Sequence, residues 1–251
     1  MNRFDLSGRV AIVTGGSKGL GSGMAYALAE QGADVVITSR NQAEGELVAE
    51  KIRSMGRRSI ALSVDVQDIS SINQMVKTVT EEFGKIDILI NNAGVGVTKF
   101  ALEVTEEDWD RVVDTNLKGV FFCAQAVAKV MKEQKYGKII NVSSLAGMKG
   151  SNAMAPYCAS KAGVINLTRA LAKEWARYNI NVNAIAPGYI QTALNEEELS
   201  NEAFRSKLLS AMPIKRLGEL DDLAGTVALL ASEASSYITG QTIIIDGGRL
   251  I

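Results

Sequence analysis

Short, β-branched apolar runs alternate with longer amphipathic stretches along nearly the whole chain, and no other feature restricts the possible folds as much. Most positions in each run are apolar, as they are in strands of a parallel sheet that is covered on both faces. The runs that we predict to be strands are Val10–Thr14, Asp34–Ser39, Ser59–Val64, Ile86–Ile90, Lys138–Val142, Asn181–Ile185 and Thr242–Ile245. This order of elements predicts an α/β fold, a doubly wound parallel sheet of seven strands flanked by helices, with ligands at the carboxyl ends of the strands.

The stretch from Gln191 to Arg216 interrupts this alternation. It begins with polar and acidic residues and ends just after Met212-Pro213. We interpret it as an insertion over the site, a mobile lid with short helices; a surface helix with a solvated acidic face is the alternative. Because no linker, repeat or low-complexity tract divides the chain, we predict one domain over residues 1–251, with the lid at 191–216 inside it.

The charge of the chain is balanced, with 27 basic and 28 acidic side chains and no block of one sign. This balance does not indicate nucleic acid or a membrane as a partner, and no apolar run is long enough to span a bilayer. Residues 1–7 lack the basic head and apolar stretch of a signal peptide, and two cysteines do not make a disulfide framework. We therefore expect a cytoplasmic protein that acts on a small molecule.

The chain contains no histidine. Ser-His-Asp and Cys-His catalysis are therefore impossible, and zinc sites built on histidine are excluded as well. We predict no metal site. Proton transfer must fall to tyrosine, lysine, aspartate, glutamate or cysteine.

A glycine-rich turn, from Thr14 to Gly21, directly follows the first predicted strand. Glycines let the backbone turn tightly and approach a diphosphate, and the next helix points its N-terminal amides at the anion. The residues that we expect around this diphosphate are Gly15, Ser17, Lys18, Gly19, Leu20 and Gly21. The spacing is G-x-x-x-G-x-G rather than G-x-G-x-x-G, and tight packing without a ligand is the alternative.

The residues that follow the second predicted strand indicate which dinucleotide binds. An NAD site places an acid here for the ribose hydroxyls, whereas this chain has Ser39, Arg40 and Asn41. Arg40 can pair with a 2′-phosphate, and Ser39 and Thr38 can donate hydrogen bonds to it. Lys18 adds a second cation nearby. We predict NADP(H) as the cofactor; the alternative is that Arg40 and Lys18 are ordinary surface charges.

Tyr157 and Lys161 lie four residues apart in a long helical stretch that runs to about Tyr178, so they share one helical face. Free tyrosine has a pKa of about 10, and a neighbouring ammonium stabilises the phenolate and lowers that pKa. A tyrosine tuned in this way can give a proton to a carbonyl oxygen or take one from an alcohol. A tyrosine at a helix start with a surface lysine is the alternative.

Small and polar residues follow three other predicted strands. Ser144 follows the fifth strand, where its hydroxyl can hydrogen-bond a substrate oxygen. The fourth strand leads into Asn92-Ala93-Gly94, which suits close packing against a nucleotide. The sixth leads into Pro187-Gly188, a rigid turn that can abut a nicotinamide ring. All three groups are expected at the ligand-binding edge of the sheet.

Taken together, these motifs resemble the short-chain dehydrogenase/reductase family, whose members have a Rossmann fold. The matching motifs are T-G-x-x-x-G-x-G at Thr14–Gly21, N-N-A-G at Asn91–Gly94, the helix asparagine at Asn116, Y-x-x-x-K at Tyr157–Lys161 and P-G at Pro187–Gly188. The resemblance covers the chain from Leu6 to Gly248. It implies an oxidoreductase that moves a hydride between a nicotinamide and a carbonyl or secondary alcohol.

The resemblance implies a role for each of four residues. Tyr157 would be the general acid/base, and Lys161 would lower its pKa and bind the nicotinamide ribose. Ser144 would polarise the carbonyl. Asn116 would hold a water that links Lys161 to bulk solvent as a proton relay.

The resemblance also implies cofactor contacts and an assembly. The implied contacts are Asp65 and Val66 at the adenine, Asn92, Ala93 and Gly94 on the ribose side, and Ile190 and Thr192 at the carboxamide and phosphates. The family's strand order is 3-2-1-4-5-6-7. Its members are commonly homotetramers, which would place residues 116–134 and 157–178 in a helical interface.

Within the family, the resemblance is closest to gluconate 5-dehydrogenase-like members, through segments such as Ala155-Pro156-Tyr157 and Glu174-Trp175-Ala176. It implies that a ketone and a secondary alcohol are interconverted on a sugar acid or polyol. A 3-oxoacyl-acyl-carrier-protein reductase is the first alternative, but Lys129 and Tyr178 stand where such a relative presents arginines. The others are a broad-specificity carbonyl reductase or alcohol dehydrogenase, and a dinucleotide-binding regulator without turnover.

The substrate walls are expected after Ser144, around Asn152 and in the lid. Met148 favours an apolar substrate face, which argues against a sugar acid. Lys149 either meets a carboxylate or points at water.

Overall fold

The computed structural model describes residues 2–192 and 196–251, and a seven-stranded sheet lies at its centre. The strands are β1 (Val10–Thr14), β2 (Asp34–Ser39), β3 (Ser59–Ser63), β4 (Ile88–Asn91), β5 (Gly137–Val142), β6 (Ile180–Pro187) and β7 (Thr242–Ile245). All neighbouring strands are parallel, in the order β3-β2-β1-β4-β5-β6-β7. This confirms the predicted doubly wound sheet and places a crevice at the carboxyl ends of β1 and β4, where the strand order reverses.

Helices connect the strands and cover both faces of the sheet. They are α1 (Gly19–Glu30), α2 (Gln42–Ser54), α3 (Ile69–Phe83), α4 (Glu106–Val113), α5 (Gly119–Gln134), α6 (Ala155–Trp175), α7 (Glu196–Ser200), α8 (Glu202–Ser210) and α9 (Asp221–Ala231). A π-helical segment, Asp114–Lys118, joins α4 to α5. Across the described ranges, no helix combines the length and the apolar character that crossing a membrane requires.

Successive residues of a strand pack into different cores, which explains why the strands are apolar at nearly every position. In β1, Ala11 and Val13 pack with side chains of α1, α2 and α9. Val10 and Ile12 face the opposite side and pack with α3, α5 and α6. Full burial of a valine or isoleucine contributes roughly 1.5–3 kcal/mol, so both faces stabilise the position of the sheet edge that carries the site.

The fourth strand starts at Ile88, later than its apolar run predicted. The reason is Asp87, whose carboxylate is buried and accepts the Val10 N–H at 2.9 Å. The same carboxylate forms ion pairs with Arg9 at 3.0 Å and Lys85 at 2.9 Å. The Asp87 carboxylate thus accepts the Val10 N–H, which a backbone carbonyl of a neighbouring strand would otherwise accept. Regular pairing with β1 begins one residue later, at Ile88.

Two short helices, α7 and α8, lie in the stretch that we interpreted as a lid, rather than one continuous surface helix. The part of that stretch at residues 193–195 lies outside the described residues. Asn201 caps α8 by accepting the Phe204 N–H at 3.0 Å. A third apolar cluster holds the segment together; its buried members are Leu199, Leu208, Met212 and Leu217.

Candidate active site

The glycine turn between β1 and α1 is clamped onto the end of β4. Gly15 and Gly19 have φ angles of +61° and +57°, a left-handed conformation that favours glycine. The Asn92 side-chain amide donates to the carbonyls of Thr14 and Gly15, both at 2.9 Å. The Thr14 hydroxyl accepts the N–H groups of Asn92 and Ala93, both at 3.0 Å. The amide of Asn92 therefore braces the turn, a role that the predicted ribose contact did not include.

Gly21 illustrates how closely this turn is packed. A Cβ at this position would contact the Gly15 carbonyl oxygen and lie 2.6 Å from Asn92 Nδ2. We expect Gly21→Ala to destabilise the protein by about 1–3 kcal/mol, the usual range for overpacking, and to weaken NADPH binding because the turn must shift. Thermal unfolding and fluorescence titration with NADPH measure both effects. Gly225→Ala is the matched control, because nothing lies near a Cβ there; equal effects of the two variants would contradict the expectation.

Arg40 follows β2 and is exposed at the edge of the crevice. Among the described residues, no carboxylate pairs with its guanidinium, so it is available for an anion. The Ser39 hydroxyl instead donates to the Asn41 carbonyl at 2.6 Å, and the Asn41 side chain caps α2 by accepting the Ala43 N–H at 3.1 Å. Thr38 is 1% exposed. The expectation that Thr38 donates to a 2′-phosphate is therefore wrong, because its side chain is buried in the sheet.

Glu44, in the first turn of α2, is a neighbour that the sequence analysis missed. Its Oε2 lies 3.8 Å from Lys18 Nζ and accepts the Ser17 hydroxyl at 3.4 Å. The second predicted cation is thus already paired with a carboxylate. The helix dipole favours an acidic residue in the first turn of any helix. The position of Glu44 in the sequence therefore did not point to a ligand site.

Tyr157, Lys161 and Ser144 converge at the carboxyl edge of the sheet. Tyr157 lies in the first turn of α6, and Lys161 lies one turn later on the same face. Lys161 is buried; its Nζ donates to the Val142 carbonyl at 2.8 Å and lies 5.7 Å from the centroid of the Tyr157 ring. The Ser144 hydroxyl caps the turn after β5 by accepting the Ala146 N–H at 3.1 Å. The geometry thus brings together the hydroxyl, phenol and ammonium that the sequence analysis predicted.

Burial sets the protonation of this group. It raises the pKa of Tyr157 above its usual value, and a hydrogen bond with the Ser144 hydroxyl offsets only part of that increase. Burial also lowers the pKa of Lys161 to about 8. The expectation that Lys161 holds the pKa of Tyr157 below its usual value is wrong for this structure. Desolvation opposes charge on both groups, and the ammonium is directed at the Val142 carbonyl.

Asn116 lies in the π-helical segment and is fully buried. Its amide donates to the Val95 carbonyl at 2.8 Å and to the Ser160 hydroxyl at 3.2 Å, and its Oδ1 accepts the Val95 N–H at 2.8 Å. Both side-chain N–H groups are therefore used, so a water on this side chain would bind Oδ1. A Cβ at Gly94 would lie 3.3 Å from Asn116 Oδ1 and 3.5 Å from Lys161 Nζ. Glycine at this position keeps the space between the two side chains open.

The remaining predicted cofactor residues lie at two ends of the crevice. Asp65 is exposed beyond β3, and its carboxylate accepts the Gln67 N–H at 2.9 Å; Val66 is buried beside it. At the other end Pro187 ends β6, and the Gly188 N–H donates to the Ile245 carbonyl at 2.8 Å. The two last predicted contacts differ in exposure, Ile190 being buried and Thr192 half-buried.

Comparison with known proteins identifies the class that this fold and site define. A family model described as Enoyl-(Acyl carrier protein) reductase matches residues 15–249. The chain belongs to the short-chain dehydrogenase/reductase family. Its relatives are oxidoreductases that act on CH–OH groups.

Three similar proteins narrow the class further. The 2-dehydro-3-deoxy-D-gluconate 5-dehydrogenase of Dickeya dadantii is 46% identical over 100% of this chain and 98% of its own length. The 3-oxoacyl-acyl-carrier-protein reductase of Staphylococcus epidermidis is 43% identical over 95% of this chain and 97% of its own. A solved structure that resembles this chain is the crystal structure of a gluconate 5-dehydrogenase from Burkholderia cenocepacia in complex with NADP and tartrate. The two sequences are 38% identical, and the superposition has a TM-score of 0.96 and covers 99% of this chain and 98% of that one.

Proposed function

We propose that this protein is an NADP(H)-dependent oxidoreductase that interconverts a ketone and a secondary alcohol on a sugar acid, at the carbon that 5-dehydrogenases oxidise. The observation that carries the proposal is the convergence of Tyr157, Lys161 and Ser144 at the carboxyl edge of the sheet. The full-length similarity to a 2-dehydro-3-deoxy-D-gluconate 5-dehydrogenase supports the substrate class.

The chain's own residues would bind the substrate oxygen and handle its proton. A bound nicotinamide dinucleotide supplies or accepts the hydride. Tyr157 gives its phenolic proton to the carbonyl oxygen during reduction, and its raised pKa keeps that proton in place at neutral pH. Ser144 would hydrogen-bond the same oxygen, and Lys161 would hold the ribose of the bound cofactor and return a proton to Tyr157. Asn116, through Oδ1, holds the relay water.

The crevice fits such a dinucleotide. At Gly15 and Gly21 a Cβ would collide with neighbouring protein atoms, so glycine at both positions allows the tight backbone turn that a diphosphate cradle requires. Arg40, which pairs with no carboxylate in the part of the chain that the structure describes, offers its guanidinium to a 2′-phosphate, where an acidic residue would repel it. Asp65 and Val66 would contact the adenine. The NADP in the Burkholderia cenocepacia structure supports this choice of cofactor.

Two substitutions that are expected to change KM for NADPH in opposite directions test the preference for NADP. Arg40→Ala is expected to raise KM for NADPH about 10–100-fold, because hydrogen bonds to charged groups contribute about 1.5–3 kcal/mol, with little change for NADH. Glu44→Gln removes a negative charge beside Lys18 and is expected to lower KM for NADPH about 2–5-fold, since exposed charge pairs are worth up to about 1 kcal/mol. Steady-state kinetics with both cofactors measure the effects; a wild-type protein that favours NADH would contradict the proposal.

A substrate panel tests the reaction itself. NADPH oxidation would be followed with 5-ketogluconate, an acetoacetyl thioester and simple ketones, and NADP reduction with gluconate and 2-dehydro-3-deoxygluconate. We expect the sugar acids to give the highest kcat/KM. Absence of turnover by a protein that still binds NADPH would favour a regulatory role.

The second candidate function is reduction of a 3-oxoacyl thioester. The similarity to the Staphylococcus epidermidis reductase favours it. Two basic groups lie beside the half-buried Tyr178, with the Arg177 guanidinium carbon 4.8 Å and Lys132 Nζ 5.3 Å from its ring centroid. Lys129 is exposed on the same helix as Lys132. A higher kcat/KM for acetoacetyl thioesters than for 5-ketogluconate would select this function.

Three earlier expectations remain predictions: closure of the lid over the substrate, a homotetramer and a cytoplasmic location. Large apolar side chains on the surface near α4, those of Phe100, Leu102 and Trp109, support association between copies. Sedimentation velocity of the purified protein measures the oligomer.

A further inference from the structure

Arg249, on the C-terminal segment after β7, is held in an unusual position for a surface cation. Its guanidinium carbon lies 4.6 Å from the centroid of the Tyr189 ring. Its Nη1 is buried and has no hydrogen-bond partner among the described residues. A buried N–H without an acceptor is destabilising, so this group is ready to accept an anionic partner.

Tyr189 connects this arginine to the candidate active site. It directly follows the Pro187-Gly188 turn at the carboxyl end of β6. Strand β6 pairs with β5, and the Ser143 N–H donates to the Ile185 carbonyl at 2.8 Å. The Tyr189 ring that the guanidinium contacts therefore follows the strand next to the one that leads into Ser144.

Lys149 brings a second cation to the same edge. It lies in the turn that Ser144 caps, and its N–H donates to the Leu145 carbonyl at 3.0 Å. Its Nζ donates to the Arg249 carbonyl at 3.5 Å. A Cβ at Gly147 would lie 2.7 Å from the Lys161 backbone, so this turn rests directly on α6.

No carboxylate in the described ranges neutralises these two cations. Asp246, the nearest acid along the chain, accepts the N–H groups of Gly248 at 2.9 Å and Leu250 at 2.8 Å. Arg216 shows the contrast, because its guanidinium forms two hydrogen bonds with Asp222, at 2.6 Å and 2.8 Å. The positive charge at Arg249 and Lys149 is therefore available to a ligand.

We infer that Arg249, assisted by Lys149, binds the carboxylate of the substrate and makes the site selective for sugar acids over neutral sugars and polyols. This inference rests on the proposed function, because it places the carboxylate while Ser144 and Tyr157 hold the reacting oxygen. A guanidinium stacked on an aromatic ring presents its planar fork in one orientation, which suits bidentate binding of a carboxylate. Lys149 is exposed and adds a weaker contribution.

The test compares D-gluconate with D-glucitol, which carries a hydroxymethyl group in place of the carboxylate. Isothermal titration calorimetry would measure the binding of each to the protein saturated with NADPH, which cannot accept a hydride and therefore leaves both ligands unreacted. The wild type is expected to bind gluconate more tightly. Arg249→Met is expected to weaken gluconate binding about 10–100-fold and Lys149→Met about 2–5-fold, with glucitol binding unchanged in both variants.

The control is Arg3→Met, which removes the same charge from an exposed residue near the start of β1, at the opposite edge of the sheet. If Arg249→Met does not fold, Arg249→Lys keeps the charge without the planar fork and is expected to lose gluconate affinity several-fold. Equal affinity of the wild type for gluconate and glucitol, or an unchanged preference in the Arg249 variant that folds, would overturn the inference. If gluconate is preferred through Arg249 but no sugar acid is turned over, the carboxylate site stands and the proposed reaction fails.

Discussion

Tyr157→Phe is expected to lower kcat for ketone reduction by about 10²–10⁴-fold, the range that loss of a general acid produces, while NADPH binding changes little. The substitution removes only the phenolic oxygen and keeps the ring that packs beside Lys161. With no histidine in the chain, no imidazole can replace it as proton donor. Stopped-flow absorbance of NADPH with the best ketone from the panel measures the rate, and fluorescence titration measures cofactor binding.

The direction of the reaction should also depend on pH. Because burial raises the pKa of Tyr157, its phenol is protonated at neutral pH, as reduction requires. Alcohol oxidation needs the phenolate, so its rate in the wild type is expected to rise as the pH becomes alkaline. A Tyr157→Phe variant that retains the wild-type kcat, with the same pH profile, would show that another group transfers the proton.

Lys161→Met is expected to lower kcat strongly and at the same time to stabilise the fold. The ammonium is buried, and its pKa falls from 10.5 to about 8 because burial disfavours the charged form. Removing that desolvation outweighs the lost hydrogen bond to the Val142 carbonyl. We expect a net gain on the order of 1 kcal/mol in the free energy of unfolding at pH 7, together with a loss of about 10²-fold or more in kcat, the scale of a proton-transfer contribution.

The pH dependence of stability gives the sign of this effect. Between about pH 8 and 10.5 the unfolded chain binds more protons at this lysine than the folded chain does. The contribution of Lys161 to the free energy of unfolding therefore rises with pH across that window, and the advantage of the Met variant shrinks. Urea denaturation at pH 7 and pH 10 measures the difference. Lower stability of Lys161→Met than of the wild type at pH 7 would mean that the hydrogen bond to Val142 outweighs desolvation.

Periodicity and turn chemistry are local properties, which is why the sequence predicted the architecture well. All seven strands were found because both faces of the sheet are covered, so that each predicted strand carries mostly apolar residues. The largest displacement of a strand start, at β4, came from Asp87, whose partners Arg9 and Val10 are distant in sequence. Gly15 to Gly21 and the pair Tyr157–Lys161 were recognised because each motif lies within one turn or one helix.

The sequence by itself thus determined the order of strands and helices, the glycine turn and the choice of residues at the carboxyl edge, because these depend on neighbours along the chain. Only the tertiary structure decided how those residues are surrounded. It assigned the Asn92 amide to the turn, paired Glu44 with Lys18, and stacked Arg249 on Tyr189. It also reversed the expected pKa shift of Tyr157, because desolvation depends on everything that packs around a group, and most of that comes from distant parts of the chain.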